Sequence, residues 1–195
     1  MKVLSLGIYD IVNKPEKPLA YVDDIGDFGY FQQRPLKNFL TFFSKLAAER
    51  NATAARDVVT KEEYYLYVYR TTQGLATVLV TQGQYPNRVA FSLLGQLMDD
   101  YVMAFPTPAS RQGSPAFAPI HTYLGKFQNP KESDALTQVR QELDETTEVL
   151  TKTMESLLQR GETLDTLVDK SNDLSWQSKQ FYKTAKKNNS CCQFM

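Results

Sequence analysis

The feature that most constrains the fold is a heptad pattern that runs without interruption through the C-terminal third of the chain. Residues 132–187 contain no proline and one glycine, Gly161, and polar residues separate regularly spaced leucines. As a helix, this run of about seven heptads would span about 75 Å, and it exceeds the three or four heptads that indicate a coiled coil. Alternating steps of three and four residues define the heptad core: Leu136, Val139, Leu143, Thr146, Leu150, Thr153, Leu157, Arg160, Leu164, Leu167, Ser171, Leu174, Ser178, Phe181 and Ala185. The segment is predicted to form one long helix that associates with others, or to become one on binding.

The heptad core contains several polar residues, of which Arg160 is the most informative. Burying a guanidinium without partners costs several kcal/mol, so a buried Arg160 requires acceptor groups from other chains at the same level. In the alternative interpretation Arg160 is solvated and its stem packs beside an ordinary coiled coil. Gly161 costs about 1 kcal/mol of helix stability relative to alanine, so the segment is predicted to fold on binding its partners.

The first 130 residues alternate between strand-like and helix-like segments, as in a globular domain. Residues rich in β-branched and aromatic side chains predict strands, and helical spacing of apolar residues predicts helices. The predicted strands are 2–9, 19–22, 57–60, 64–70 and 75–81, and the predicted helices are 34–50, 86–105 and 120–127. This order predicts an α+β fold with a five-stranded, mostly antiparallel sheet flanked by three helices. The chain is divided into a globular domain at 1–130, the heptad segment at 131–190 and a tail at 191–195.

Composition excludes several classes of function. Lys plus Arg and Asp plus Glu number 22 each, so the chain lacks the basic excess of a nucleic-acid-binding protein. No apolar stretch reaches the roughly 18 residues that a transmembrane helix needs, so we expect no such helix. One histidine, His121, and two cysteines cannot assemble a metal site or a Cys/His catalytic cluster of the usual ligand types. No Gly-rich phosphate-binding loop is present, so we predict no cofactor and no enzyme activity; acyl transfer through Cys191 is the rival hypothesis.

The last four residues, Cys192-Gln193-Phe194-Met195, fit the C-a-a-X prenylation pattern, whose terminal methionine favours farnesyl. A single prenyl chain binds membranes only marginally, and Cys191 is the obvious second lipidation site. The alternative is a pair of unmodified thiols. Four lysines lie just upstream and could add attraction to an anionic leaflet, or could simply form a solvated helix end: Lys179, Lys183, Lys186 and Lys187.

The first predicted helix carries more apolar surface than one sheet-facing stripe requires. We predict that Phe39, Phe42 and Leu46 form part of a groove for the heptad segment or for a lipid; in the alternative all three belong to the core. Ser171 and Ser178 are candidate phosphorylation sites, because a phosphate at an inward position would bring about two negative charges into a helical bundle. In the alternative they are small polar core residues that stay unmodified.

Several motifs carry a resemblance to a known family. Leu157-Leu158-Gln159-Arg160-Gly161-Glu162, with 164–171 and 178–181, resembles the R-SNARE motif. This motif, the preceding α+β domain and the Cys-Cys-a-a-X tail together resemble the prenylated longin-type R-SNAREs, the synaptobrevin homologue YKT-six family. The resemblance covers essentially the whole chain.

The resemblance implies a profilin-like longin fold and an R-SNARE function in membrane fusion. Arg160 would form the central polar layer of a parallel four-helix bundle with three glutamine-bearing SNARE helices. Cys192 would carry farnesyl and then a carboxyl methyl ester, and Cys191 a palmitoyl or second prenyl group. The longin domain would fold back over the SNARE segment and shelter the lipid. The chain would cycle between the cytosol and Golgi, ER-derived, endosomal and vacuolar or lysosomal membranes. A lipid-anchored adaptor that does not drive fusion remains the rival function.

Overall fold

The computed structural model describes residues 2–13, 17–52, 54–112, 115–128 and 149–191. Within these residues, six strands form one sheet in the order β2-β1-β5-β4-β3-β6. The strands are β1 (Lys2–Asp10), β2 (Ala20–Asp23), β3 (Arg56–Lys61), β4 (Tyr64–Arg70), β5 (Leu75–Gln82) and β6 (Val149–Thr153). The α-helices are α1 (Tyr30–Arg50), α2 (Asn87–Ala104), α3 (Pro119–Gln128), α4 (Leu164–Lys170) and α5 (Trp176–Cys191). Short 3-10 helices occupy Ala109–Arg111 and Met154–Leu157.

Alternation along the strands sends side chains to two apolar cores, one on each face of the sheet. On β5, Leu75 and Leu79 face the core that α2 and α3 cover. Val78 and Val80 of the same strand face the core that α1 covers. The sheet is thus the middle layer between α1 on one face and α2 with α3 on the other.

The predicted hairpin between β4 and β5 is present. The two strands pair antiparallel from Tyr64 with Gln82 to Arg70 with Ala76. Gly74 in the turn has φ +79°, a left-handed conformation that glycine adopts without a Cβ penalty. The α+β class and the five N-terminal strands predicted from the sequence are confirmed.

Helix α1 begins at Tyr30, four residues before its predicted start at Arg34. Pro35 therefore lies inside the helix and not in its first turn. A proline at that position lacks the N–H that would donate to the carbonyl four residues earlier. The first turn and a half precede Pro35, so the loss falls near the helix start.

The heptad segment differs most from its prediction. Its described part, 149–191, is not one helix but a strand, a 3-10 turn and two helices, and the sheet has six strands instead of five. Leu150 and Thr153, predicted as inward positions of a helical core, lie in β6. The exposed edge of β3 offers unpaired backbone groups, and the β-branched residues of Val149–Thr153 suit a strand. The edge of β3 supplies the backbone hydrogen-bonding partners of β6.

Candidate functional site at the groove of helix α1

The C-terminal segment first joins the N-terminal domain as a strand. β6 pairs parallel with β3, with Arg56 opposite Val149 and Thr60 opposite Thr153. The Lys152 Nζ atom lies 2.5 Å from Asp57 Oδ2, and the Asp57 side chain is 1% exposed. Lys152 therefore neutralises the Asp57 carboxylate. We call residues 149–191, as they pack on the N-terminal domain, the docked segment, and this arrangement the docked conformation.

Beyond β6, the 3-10 turn inserts two apolar side chains into the α1-facing core. Met154 and Leu157 are 1% and 8% exposed, and they pack in the cluster that contains Leu46. The Thr153 hydroxyl accepts a hydrogen bond from the Ser156 N–H and caps the turn. These contacts extend the core of the N-terminal domain with residues from the C-terminal segment.

A tight turn at 159–162 separates the 3-10 helix from α4. Its closing hydrogen bond runs from the Glu162 N–H to the Gln159 carbonyl, 2.9 Å apart. Gly161 has φ +85°, and Arg160 beside it is exposed. The predicted central-layer arginine thus lies on the surface of this docked conformation. It stands in a turn that would have to be straightened to make the segment one continuous helix.

Helix α4 begins with a capping box formed by Thr163 and Thr166 and buries Leu164 and Val168. Val168 is fully buried in a cluster with Phe39 of α1. It is not a member of the heptad core defined by the sequence. The face of α4 that meets α1 is therefore rotated from the face that the heptad pattern marks.

Helix α5 and the residues just before it pack against α1. The Asp173 carboxylate, just before α5, lies 3.2 Å from Lys45 Nζ, and the Ser178 hydroxyl accepts a hydrogen bond from Asn38 Nδ2 at 3.0 Å. Ser178 is fully buried.

The groove is the surface of α1 on which α4 and α5 pack, and aromatic side chains from α1 and α5 meet there. The Phe39 ring centroid lies 6.4 Å from that of Phe181 and 5.7 Å from that of Tyr182. Phe42 stands edge to face with Phe43, 5.3 Å away, and packs at the border of the same cluster. Burial, assisted by the Asp165 carboxylate, raises the pKa of Tyr182 to about 12, so its phenol remains neutral at physiological pH.

A cavity of about 920 Å³ remains between α1, the β3–β4 end of the sheet and the C-terminal segment. Its apolar wall is aromatic and aliphatic, and charged residues lie around it. The apolar lining includes Phe28, Leu36, Phe39, Leu40, Phe43, Met154, Leu158, Leu164, Phe181 and Tyr182. The charged lining includes Lys61, Glu62, Glu63, Glu155, Glu162, Asp165 and Lys186. The volume lies in the range of about 300–1,000 Å³ that is usual for sites of small apolar ligands.

Two carboxylates of the docked segment pair with basic residues of the N-terminal domain. Glu155 receives a hydrogen bond from Lys61, which is the main cause that lowers the pKa of Glu155. The pKa of Glu162 is lowered first by the Gln159 N–H and then by Arg50, whose guanidinium lies 3.2 Å away. Both contacts favour the ionised carboxylates in the docked conformation.

The predicted site residues are only partly brought together. In the groove, Phe39 and Leu46 are buried and Phe42 is half-buried. Of the heptad core, Leu157, Leu164, Leu174 and Ser178 are buried; Leu167, Ser171 and Phe181 are half-buried; Leu150, Thr153 and Arg160 are exposed. Leu136, Val139, Leu143, Thr146 and Cys192 lie outside the described residues, as do the side chains of Ala185 and Cys191; Cys191 is the last residue of α5.

Sequence reasoning missed several residues of the interface. Each of the following contacts the other region, but the sequence did not single it out: Asn38 and Asp57 of the N-terminal domain, and Lys152, Met154 and Val168 of the docked segment. The signal for a strand was present in the β-branched run around Lys152. No local signal marked Val168, because its burial depends on the angle at which α4 meets α1.

No described helix is both long and apolar enough to cross a bilayer. Within the same described ranges, no group of three or more His, Cys, Asp and Glu residues is arranged to hold a metal ion.

Comparisons with known proteins fit this arrangement of two regions. The synaptobrevin family model matches residues 135–193, and the regulated-SNARE-like domain model, the longin family, matches residues 27–124. The chain is 41% identical over 194 residues to the synaptobrevin homolog ykt6 of Schizosaccharomyces pombe, which covers 98% of both chains. It is 38% identical over 200 residues to the synaptobrevin homolog YKT6 of Saccharomyces cerevisiae and 40% identical over 205 residues to that of Candida glabrata, in both cases over the full length of both chains.

Proposed function

The chain belongs to the Ykt6 family of longin-type R-SNAREs, which act in vesicle fusion and are not enzymes, and on that premise we propose that it alternates between the docked conformation and a four-helix SNARE bundle. In the bundle the segment 131–190 would be one helix, parallel to three glutamine-bearing helices from partner SNAREs. The docked conformation would be the autoinhibited state.

The observation that carries this proposal is that one set of side chains serves both states. Leu157, Leu164, Leu174 and Ser178 are heptad core positions, and all four are buried in the docked conformation. A side chain packed on the N-terminal domain cannot also pack against partner helices. Docking and bundle formation are therefore mutually exclusive at these positions.

The backbone conformation also makes docking and bundle formation mutually exclusive. Val149–Thr153 is a strand and Gly161 has φ +85°, neither of which is compatible with an α-helix. Bundle formation would have to remove β6 from β3 and straighten the turn. It would also move Arg160 from the surface into the central layer, where glutamine side chains would accept its hydrogen bonds.

Lipid anchoring is the second part of the proposal. Cys192 would carry farnesyl and, after removal of the last three residues, a carboxyl methyl ester; Cys191 would carry a palmitoyl or second prenyl group. The apolar cavity of about 920 Å³ supports shelter for the isoprenoid in the docked state, because Phe181 and Tyr182 of α5, the helix that ends at Cys191, line it. The chain would then be cytosolic when docked and attached to membranes when open.

We further propose that the membranes are those of the Golgi, ER-derived vesicles, endosomes and the vacuole or lysosome. The support is family membership alone. Light microscopy of the tagged chain, beside a Cys191→Ser/Cys192→Ser variant, tests it: the chain should mark these compartments and the variant should stay diffuse. A variant that marked the same membranes would contradict the lipid anchor.

Phosphorylation of Ser171 and Ser178 would act on both states. Ser178 is fully buried between Asn38 and Ser175, so the groove has no space for a phosphate at that hydroxyl. A kinase could reach Ser178 only after undocking, and the added charge would then hinder both redocking and bundle formation. Ser171, which is half-buried, should have the smaller effect; Ser178→Asp and Ser171→Asp compared for redocking test this order.

Assembly kinetics provide the main test. Val168 is fully buried in the groove but is not a heptad core residue, so Val168→Glu should weaken docking and leave the bundle core intact. The full chain carrying Val168→Glu should join glutamine-bearing SNARE helices faster than the unchanged chain, approaching the rate of the isolated segment 131–190. Asn172→Glu, an exposed change nearby, is the matched control and should leave the rate unchanged.

Two further results would decide between fusion and the adaptor alternative. Arg160→Ala should weaken the SDS-resistant four-chain complex without changing the docked state, because Arg160 is exposed there. A segment that forms no helical complex with any glutamine-bearing SNARE would contradict the fusion role. Equal assembly rates for the Val168→Glu and unchanged chains would contradict autoinhibition.

A further inference from the structure

The lysines near the C-terminal end of α5 are engaged by α4 in the docked conformation. Lys186 Nζ lies 2.5 Å from Asp165 Oδ2, and Lys183 Nζ lies 2.9 Å from Asp169 Oδ1. Lys179 Nζ donates to the Asp169 backbone carbonyl at 2.7 Å. The hydrogen bond from Lys186 is the main cause that lowers the pKa of Asp165. Asp165 and Asp169 of α4 thus form an acidic cover in the sense of charge: they offset the charges of Lys183 and Lys186, whose side chains stay 50% and 60% exposed.

These ion pairs exist only because the chain folds back between the two helices. Asp165 and Lys186 are 21 residues apart, so in one continuous helix they would be about 32 Å apart at 1.5 Å per residue. Asp169 and Lys183 would be about 21 Å apart in the same helix. Neither distance permits an ion pair. Conversion of the segment to a bundle helix must therefore release both lysines.

The released lysines would face outward from the bundle. Lys179, Lys183 and Lys186 follow one another by four and three residues, which places them on one face of a helix. The heptad core positions Ser178 and Phe181 define a different face. The lysines are therefore available for another ligand after the bundle has formed.

We propose that Lys183 and Lys186 form a binding surface for anionic phospholipid headgroups, which Asp165 and Asp169 cover in the docked conformation and which helix formation uncovers. This inference rests on the proposed alternation between docked and bundled states. It adds to that alternation a switch in membrane affinity that requires no change in the lipid anchor.

The position of the lysines favours a bilayer as the ligand. Along a helix Lys186 would lie about 8 Å and Lys183 about 12 Å from Cys191, the proposed lipid attachment site. Those distances are close to the Debye length of about 8–10 Å at physiological ionic strength, within which an anionic leaflet attracts a cation. In the docked state the Asp165 and Asp169 carboxylates cancel the same two charges.

Vesicle binding of the unlipidated full chain tests the proposal, since it isolates the lysines from the anchor. The variant Asp165→Asn/Asp169→Asn removes the cover and keeps both lysines. The control, Glu63→Gln/Asp99→Asn, removes the same charge at two exposed residues of the N-terminal domain. Sedimentation would use vesicles of phosphatidylcholine with and without phosphatidylserine, at low and high salt.

The cover variant should bind phosphatidylserine vesicles more tightly than the unchanged chain, by about fivefold for each lysine freed. High salt should abolish the gain, and so should addition of Lys183→Gln/Lys186→Gln. The control should bind as the unchanged chain does. An equal gain by the control, an equal gain on vesicles without phosphatidylserine, or a gain that survives lysine replacement would each overturn the proposal.

Bundle assembly, measured in parallel with glutamine-bearing SNARE helices, separates this inference from the proposed function. Normal assembly without a gain in vesicle binding would refute the lysine surface and leave the SNARE role intact. A salt-sensitive gain in a chain that assembles with no partner would support the surface and refute the bundle. Circular dichroism of every variant verifies that the chain remains folded.

Discussion

In the N-terminal domain β5 is paired on both sides and carries Leu79, which is fully buried, whereas β6 of the C-terminal segment stands at the edge of the sheet and leaves Leu150 47% exposed. The domain is held by two continuous apolar cores. The segment is held by one strand pairing, a few inserted side chains and partly exposed ion pairs such as Lys61 with Glu155. The contacts within the domain cores are lost only when the domain unfolds. The contacts that hold the segment can be replaced by contacts with a partner protein while the domain stays folded.

The largest expected effect lies in the domain core. Leu79→Ala should lower the free energy of unfolding by about 2–5 kcal/mol, because it removes buried methyl groups and leaves a cavity. Thermal or urea unfolding measures this loss. Leu150→Ala on β6 is the matched control and should stay within about 0.5 kcal/mol. Equal losses in the two variants would remove the distinction between the regions.

The next effect concerns the ion pair between the buried Asp57 of the N-terminal domain and the partly exposed Lys152 of the C-terminal segment. Lys152 is 29% exposed, so Lys152→Met leaves the buried Asp57 carboxylate without its cation at a cost of about 1–3 kcal/mol unless the segment undocks. We therefore expect faster amide hydrogen exchange in β6 and unchanged exchange in β5.

Two variants sharpen the interpretation of Lys152→Met. Adding Asp57→Asn should restore most of the protection of β6, since no buried charge is then left unpaired. Lys61→Met breaks the exposed pair with Glu155 and should cost no more than about 1 kcal/mol. Fast exchange in β5 of Lys152→Met would mean that the segment and the domain unfold as one unit.

A smaller change should act on the two states in opposite directions. An added Cβ at Gly161 meets no atom within 4 Å, so Gly161→Ala is opposed only by the φ of +85°. Alanine should disfavour the docked turn by about 1 kcal/mol and favour the bundle helix by about 1 kcal/mol. Assembly with partner SNAREs should accelerate and the complex should melt higher. Slower assembly would show that the turn does not limit undocking.

The smallest expected effect is a response to acid confined to the docked segment. The pKa values of Glu155, Glu162 and Asp165 are all lowered in the docked conformation. A depressed carboxyl pKa contributes stability above the ordinary value of about 4, and this contribution is lost as pH falls through the lowered values. Docking, followed by energy transfer between dyes on the two regions, should weaken below about pH 4.5 and stay constant from pH 6 to 8. A transition near neutral pH would indicate another titrating group.

Much of the fold could be predicted because its signals are local. The β4–β5 hairpin follows from aromatic and β-branched runs around Gly74, and helix α2 from its apolar spacing and the prolines after it. The start of α1 at Tyr30 was not predicted, because a proline such as Pro35 is typical of the first turn of a helix. Tyr30 and Phe31, which begin the helix, are 83% and 90% exposed, so no pattern of buried apolar residues marks the added turn.

The docked segment was predicted less well because its sequence serves two structures. The heptad marks Leu157, Leu164 and Leu174 as buried, and they are buried in the docked state as well, since an apolar side chain is favoured in either environment. The heptad spacing does not indicate which surface buries these leucines, the N-terminal domain or a partner helix. Val168 and Lys152 show the consequence, because they gain partners only from the particular angle and register of docking.

The sequence by itself determined the α+β class, the heptad segment and the family, because periodicity, turn residues and the motif around Arg160 are properties of neighbouring residues. Only the tertiary structure decided that Val149–Thr153 is a sixth strand, that Lys152 neutralises Asp57 and that α4 covers the lysines of α5. These features join residues far apart in the chain. Their free energy depends on a burial and a geometry that exist only once the chain has folded back on itself.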